Sequence, residues 1–113
     1  MTEKVDLVIR DSKKITQFTR KEVEEIIPNV DKITTKYMKQ REELLKLMKN
    51  QSYSANPSKV TLQLYELIEK WKEKIYRLGG RVVSEQGKVR FHGEDCFYFW
   101  EYGEKLVIEV YFK

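Results

Sequence analysis

The spacing of apolar positions changes character along the chain. Between Phe18 and Leu78 they recur every three or four residues; after Gly80 they crowd into short runs punctuated by glycine. The first pattern lines one side of a helix, and the second reads as strands. A brief alternation precedes both. Val5-Asp6-Leu7-Val8-Ile9-Arg10 predicts a short strand with Val5, Leu7 and Ile9 on one face, and Asp11-Ser12-Lys13-Lys14 a turn after it. Thr19-Arg20-Lys21-Glu22 has the form of a capping box, in which Thr and Glu satisfy free N–H groups reciprocally. Phe18 and Val23 stand where a hydrophobic staple would close it. Pro28 lacks an N–H and disfavours helical geometry at Ile27, so the expectation is a short helix to about Ile27, then a kink or a new start.

Two long amphipathic stripes follow. Val30, Ile33, Tyr37, Leu44, Leu47 and Met48 form the first, with Gln40 as its polar exception. Val60, Leu64, Leu67, Ile68, Trp71, Ile75 and Leu78 form the second. The polar stretch from Asn50 to Ser58 separates them, with Ser58 as the expected N-cap. Helices of about 22 residues, roughly 33 Å each, joined by a short loop make an antiparallel hairpin. Gly79-Gly80 ends the second helix. The stripes are expected to be core or interhelical seam. A stripe of this length can also pair with another hairpin in a four-helix dimer, and Leu45, Leu62 and Tyr65 widen the apolar surface.

The C-terminal third predicts strands at Arg81-Val82-Val83-Ser84, Lys88-Val89-Arg90-Phe91, Cys96 to Trp100 and Leu106 to Phe112. Gly87, Gly93 and Gly103 mark hairpin connections. A loop at Gly103-Glu104 pairs Trp100 with Val107 and Phe99 with Ile108. A three-residue loop, Gly93-Glu94-Asp95, sets Phe91 opposite Phe97. One face then gathers Val89, Phe91, Phe97, Phe99, Leu106, Ile108, Val110 and Phe112 as the core. A two-residue loop would bring Arg90 onto that face, so the three-residue register is the expected one. The other face would carry Cys96, Tyr98, Trp100, Val107 and Tyr111 with Lys88, Arg90, His92 and Glu109. A face so aromatic needs a cover: the N-terminal strand, a second copy, or a ligand.

The fold class is therefore α+β, a long antiparallel helical hairpin followed by a small antiparallel β-meander. With 113 residues the chain makes one domain: a strand and turn over 1–18, the hairpin over 19–79, the sheet over 80–113. No apolar run is long enough for a membrane helix, and the start of the sequence lacks a secretory apolar core, so the expected location is cytoplasmic. One cysteine excludes an internal disulfide framework and a multi-cysteine zinc site. Lys and Arg total 22 against 18 Asp and Glu, a net charge of +4 with the signs interleaved. That is short of the dense basic stripe of a strong nucleic-acid binder. The wealth of Lys and Glu beside a single alanine points to a thermophilic source.

Phosphate-binding glycine loops, zinc-protease helices and serine-hydrolase elbows are all missing from the sequence. No cofactor is expected. The densest reactive set is His92-Gly93-Glu94-Asp95-Cys96. A hairpin turn accounts for its Gly, Glu and Asp, and a metal held by His92, Asp95 and Cys96 is the lesser alternative. Arg90, Tyr98, Trp100 and Tyr111 form a second set, a ligand or partner surface. Their rings would pack in a dimer or, as the alternative, stack the bases of a single-stranded nucleic acid. The resulting expectation is a non-enzymatic interaction or self-association module, a homodimer, with single-strand binding as the alternative.

Three short motifs resemble a small prokaryotic family catalogued as domain of unknown function 2203. Phe18-Thr19-x-x-Glu22-Val23-x-x-Ile26-Ile27-Pro28 is similar to the opening F-T-x-E-E-A-x-x-L-L-P of that family. Gly87-Lys88-Val89-Arg90-Phe91 is similar to G-L-V-D-F, and Trp100-x-x-Gly103-Glu104 to C-W-x-x-G-E. The order is preserved between residues 18 and 104. Lys21, Arg90 and Phe99 replace the Glu, Asp and Cys preferred by the family, and its later Trp-His pair has no counterpart. The resemblance implies a fold with long amphipathic helices and assigns no reaction.

Overall fold

Thr19 sets the start of the first helix. In the computed structural model, which describes residues 17–49 and 57–112, the Thr19 hydroxyl accepts the Glu22 N–H at 3.2 Å. The Glu22 carboxylate accepts the Thr19 N–H at 2.9 Å. Two donors that a helix start leaves free are thereby satisfied. Helix α1 then spans Arg20–Lys49, 30 residues or about 45 Å. The new start expected at Pro28 does not occur, since Pro28 lies inside α1 on its exposed side. It removes one N–H from the ladder. The buried Val23 and Val30 on either side of it hold both halves of the helix to one core. That burial outweighs a propensity penalty of about 3 kcal/mol.

Helix α2 spans Pro57–Arg77. Ser58 falls inside its first turn, not ahead of it as an N-cap. Pro57 opens the helix, where a missing N–H leaves no bond unmade. The end is as expected from the glycines: the Gly80 N–H reaches the Ile75 carbonyl at 3.0 Å and the Gly79 N–H the Tyr76 carbonyl at 2.9 Å. Gly79 supplies the left-handed turn with φ 98°. The expected strand at residues 5–10, the turn after it and residues 50–56 of the loop lie outside the described residues.

The helices are locked by one buried cluster. The Tyr37 and Trp71 rings stack 4.2 Å apart and 3° from parallel. The Trp71 Nε1–H donates to the Thr34 hydroxyl at 3.0 Å, and the Tyr37 hydroxyl donates to the Glu85 carbonyl at 2.8 Å. Each ring therefore buries its apolar body without orphaning its polar atom. The Glu85 bond also ties α1 to the first turn of the sheet.

The sheet follows the order β1-β2-β3-β4, antiparallel throughout. Its strands are β1 Arg81–Ser84, β2 Lys88–His92, β3 Cys96–Glu101 and β4 Ile108–Tyr111. This is the helical hairpin followed by a β-meander. Phe18 joins it by a parallel bridge to Gly93, and its ring meets Phe91 edge-on at 5.5 Å. Arg20 fastens the far edge. Its guanidinium donates to the Val107 carbonyl at 2.9 Å and lies 3.5 Å from the Glu109 carboxylate.

The β2–β3 register corrects the expected one. The turn is the two residues Glu94-Asp95, closed by the Gly93 N–H on the Cys96 carbonyl at 2.7 Å. Phe91 pairs with Tyr98 and Val89 with Trp100. The β3–β4 pairing of Phe99 with Ile108 is the expected one, so β3 and β4 turn over together. Val89, Phe91, Cys96, Tyr98, Trp100 and Val107 face the helices and are buried. Phe97 and Phe99 are half-buried, while Leu106, Ile108, Val110 and Phe112 are exposed, on the opposite side from the expected core. Two contacts explain the choice. The Trp100 indole N–H finds the Glu104 carbonyl at 3.0 Å, so the largest ring can go inside. A Cβ at Gly93 would lie 2.6 Å from the Tyr98 ring, so glycine alone admits that ring beneath the turn.

Two substitutions test these points. Pro28→Ala restores the missing backbone bond and stabilises the fold by about 1–3 kcal/mol, read as a rise in Tm. Gly93→Ala forces the Tyr98 ring and the Cys96 sulfur aside and destabilises by about 1–3 kcal/mol, read as a fall in the denaturation midpoint.

Candidate functional site

Strand β2 alternates without exception: Val89 and Phe91 go inward, so Lys88, Arg90 and His92 share the outer side. Strand β3 is apolar on both sides from Cys96 to Trp100, and its turned-over register places Phe97 and Phe99 beside those residues. The outer positions of β4 add Ile108 and Val110, and Phe112 follows them, anchored by its N–H on the Asp95 carbonyl at 3.0 Å. The result is an open face with a basic row, an aromatic row and an aliphatic row.

The basic and aromatic rows are in contact. The Arg90 guanidinium lies 4.6 Å from the Phe97 ring centroid, and the Lys88 ammonium lies 5.1 Å from that of Phe99. Such contacts orient a cation over the negative face of a ring without removing its charge from solvent. The Phe97 ring also meets His92 at 5.1 Å and Phe112 at 5.0 Å, both edge-on. His92 Nδ1 is shielded and has no hydrogen-bond partner among the described residues. Glu101, across from Lys88, is the one carboxylate at an outer position of β2, β3 or β4.

The four residues expected to form one surface are divided by the structure. Arg90 lies on the open face. Tyr98 and Trp100 are 7% and 2% exposed and belong to the core beneath it. Tyr111 pairs with Cys96 on the helix-facing side but extends past the helices, 62% exposed, with its hydroxyl 3.3 Å from the Glu109 carboxylate. Tyr98 and Trp100 are therefore buried, and their own helices supply the cover expected from the N-terminal strand, a second copy or a ligand. Phe97, Phe99 and Phe112 take their place. The signal for them was the strict alternation of β2, which assigns Lys88, Arg90 and His92 to one side.

The candidate metal set does not converge. His92 belongs to the outer face, Cys96 is buried on the inner one, and Asp95 is exposed in the turn. No group of three His, Cys, Asp or Glu able to hold a metal occurs among the described residues. Nor is any described helix long and apolar enough to cross a membrane. Cys96 instead acts on its neighbour. Hydrogen bonding to the Cys96 side chain, then burial, then the charges around Cys96 and Glu109, push the Tyr98 phenol up to about 12.

No known family, curated protein or solved structure matches the chain. Several residues that carry the resemblance to the prokaryotic family have structural duties: Thr19 and Glu22 cap α1, Gly87 turns between β1 and β2, and the Glu104 carbonyl holds the Trp100 indole.

The Tyr98 environment has a measurable consequence. An ordinary tyrosine ionises near 10, whereas the folded chain holds this proton to about 12. Ionisation between those values draws the chain toward the unfolded state, so stability falls as pH rises through that window. Tyr98→Phe makes the fall shallower in urea titrations across that pH range; an unchanged slope would place the effect on other groups.

Proposed function

We propose that the protein is a non-enzymatic interaction module whose working surface is the open sheet face, and that this face binds single-stranded nucleic acid. The observation that carries the reading is the set of ring–cation contacts on the two central strands, Arg90 over Phe97 and Lys88 over Phe99. A single strand offers phosphates to cations and bases to flat surfaces, and both rings and guanidinium planes serve as stacking platforms. Duplex binding is disfavoured because stacked base pairs hide the faces that rings would meet.

The charge pattern also argues against a second copy on this face. A two-fold pairing sets a patch against itself. Lys88 and Arg90 would meet like charges across the patch, with Glu101 as the only carboxylate at an outer position of β2, β3 or β4 to offset them. A polyanion has no such conflict.

Fluorescence anisotropy with labelled oligo-uridine and oligo-thymidine tests the reading. Binding should weaken with salt along a shallow slope of about −1 to −2, as expected for two or three phosphate contacts on a single strand. Arg90→Ala combined with Phe99→Ala should lower affinity about tenfold or more, given ~1–3 kcal/mol per stacked base. Equal binding to a base-free polyphosphate, or affinity untouched by the two substitutions, would overturn it.

A further inference from the structure

The far half of the helical hairpin is unfinished as a core. Every fully buried helix residue lies between Val23 and Tyr37 on α1 or at Trp71 and Ile75 on α2, among the described residues. Beyond them two helices continue without a strand over them among the described residues. Leu44 is half-buried, while Leu47 and Met48 are 40% and 44% exposed. Two antiparallel helices alone cannot enclose such side chains; a bundle needs further helices against the seam. Between them runs a groove of about 510 Å³, with Leu44, Leu47 and Leu67 along its floor.

Its rim is charged in an ordered way. Toward the sheet stand Lys36 on α1 with Lys70 and Lys74 on α2; toward the tip stand Glu43 on α1 and Glu66 on α2. Gln40 lies between the two groups. The Tyr37–Trp71 stack fixes the level of one helix against the other. Three residues further along α1 and three back along α2, Gln40 comes level with about Ile68. Lys36 and Glu43 then lie roughly 5 Å to either side of that level, and Lys70 and Glu66 about 3 Å, at 1.5 Å per residue.

We propose that this groove seats the same groove of a second copy of the chain, in an antiparallel four-helix dimer with its two-fold axis at Gln40. The rotation carries each lysine end onto the partner's glutamate end, so Lys36 meets Glu43 and Lys70 meets Glu66 by one operation, with Lys74 outside the two pairs. It places Gln40 opposite its own copy, where each amide offers both a donor and an acceptor. A polar pair in an apolar seam fixes register, as it does in coiled coils. The leucines on the floor close over one another and leave the open sheet faces free.

Light scattering coupled to size exclusion of the full chain tests this with two double variants. The wild-type chain should show twice the 13.6 kDa protomer mass. Lys36→Glu with Lys70→Glu makes the rim acidic apart from Lys74, and Glu43→Lys with Glu66→Lys makes it wholly basic. Each variant alone should dissociate at a concentration about tenfold or more above that of the wild type, with helicity by circular dichroism unchanged. Mixing the two should restore the dimer mass. A wild-type chain that stays at protomer mass through the micromolar range would overturn the proposal. So would variants that dimerise undiminished, or a mixture that remains at protomer mass. Loss of the dimer on Phe99→Ser with Ile108→Ser would instead assign the contact to the sheet face.

Discussion

The short turn between β2 and β3 governs which side of half the sheet meets water. The Gly93 N–H closes onto the Cys96 carbonyl, leaving two residues at the tip. A side chain at position 93 would collide with the Tyr98 ring and the Cys96 sulfur. With that turn in place Tyr98 and Trp100 point at the helices, and β4 follows because its own pairing is fixed relative to β3. One added residue in the loop would exchange every side chain on two strands between core and surface.

The helices make that choice tenable. Tyr37, Trp71 and Thr34 form a satisfied aromatic and polar cluster, so the hairpin offers the sheet a fixed surface. The Tyr37 hydroxyl reaches the β1–β2 turn, and Arg20 reaches the strand at the opposite edge. Both edges of the sheet are thereby referenced to α1. The inner face can then bury two large rings whose neighbours are already in place. The outer face is left with cations and phenylalanines that no described element covers. The proposed binding surface is thus a by-product of where the core was built.

Much of the architecture was legible from local chemistry. Thr19 and Glu22 announce a helix start because their side chains fit the free N–H groups there. Gly79-Gly80 announces the end of α2, and the glycines at 87, 93 and 103 announce hairpins. The new start at Pro28 fails because propensity is local whereas the burial of Val23 and Val30 is not. Ser58 misled for a related reason: Pro57 is as good a first helical residue as Ser58 is a cap. The candidate site was half legible. The polar–apolar alternation of β2 identified Arg90, but Cys96-Phe97-Tyr98-Phe99-Trp100 is apolar at every position and carries no sign of its own orientation. Arg90 among phenylalanines reads as a fault in the register by polarity alone, although a guanidinium resting on a ring is a favourable contact.

The amino-acid sequence alone determined the order of elements, the hairpin and the meander, since periodicity, caps and turn residues act over a few neighbours. It also determined that the strands carry more aromatic surface than one buried face requires. Only the tertiary structure decided which rings were buried. That choice depends on a loop one residue shorter than expected, on an indole that finds a carbonyl, and on the space beneath a glycine. These are contacts between elements, and no window of sequence contains both partners in their final geometry.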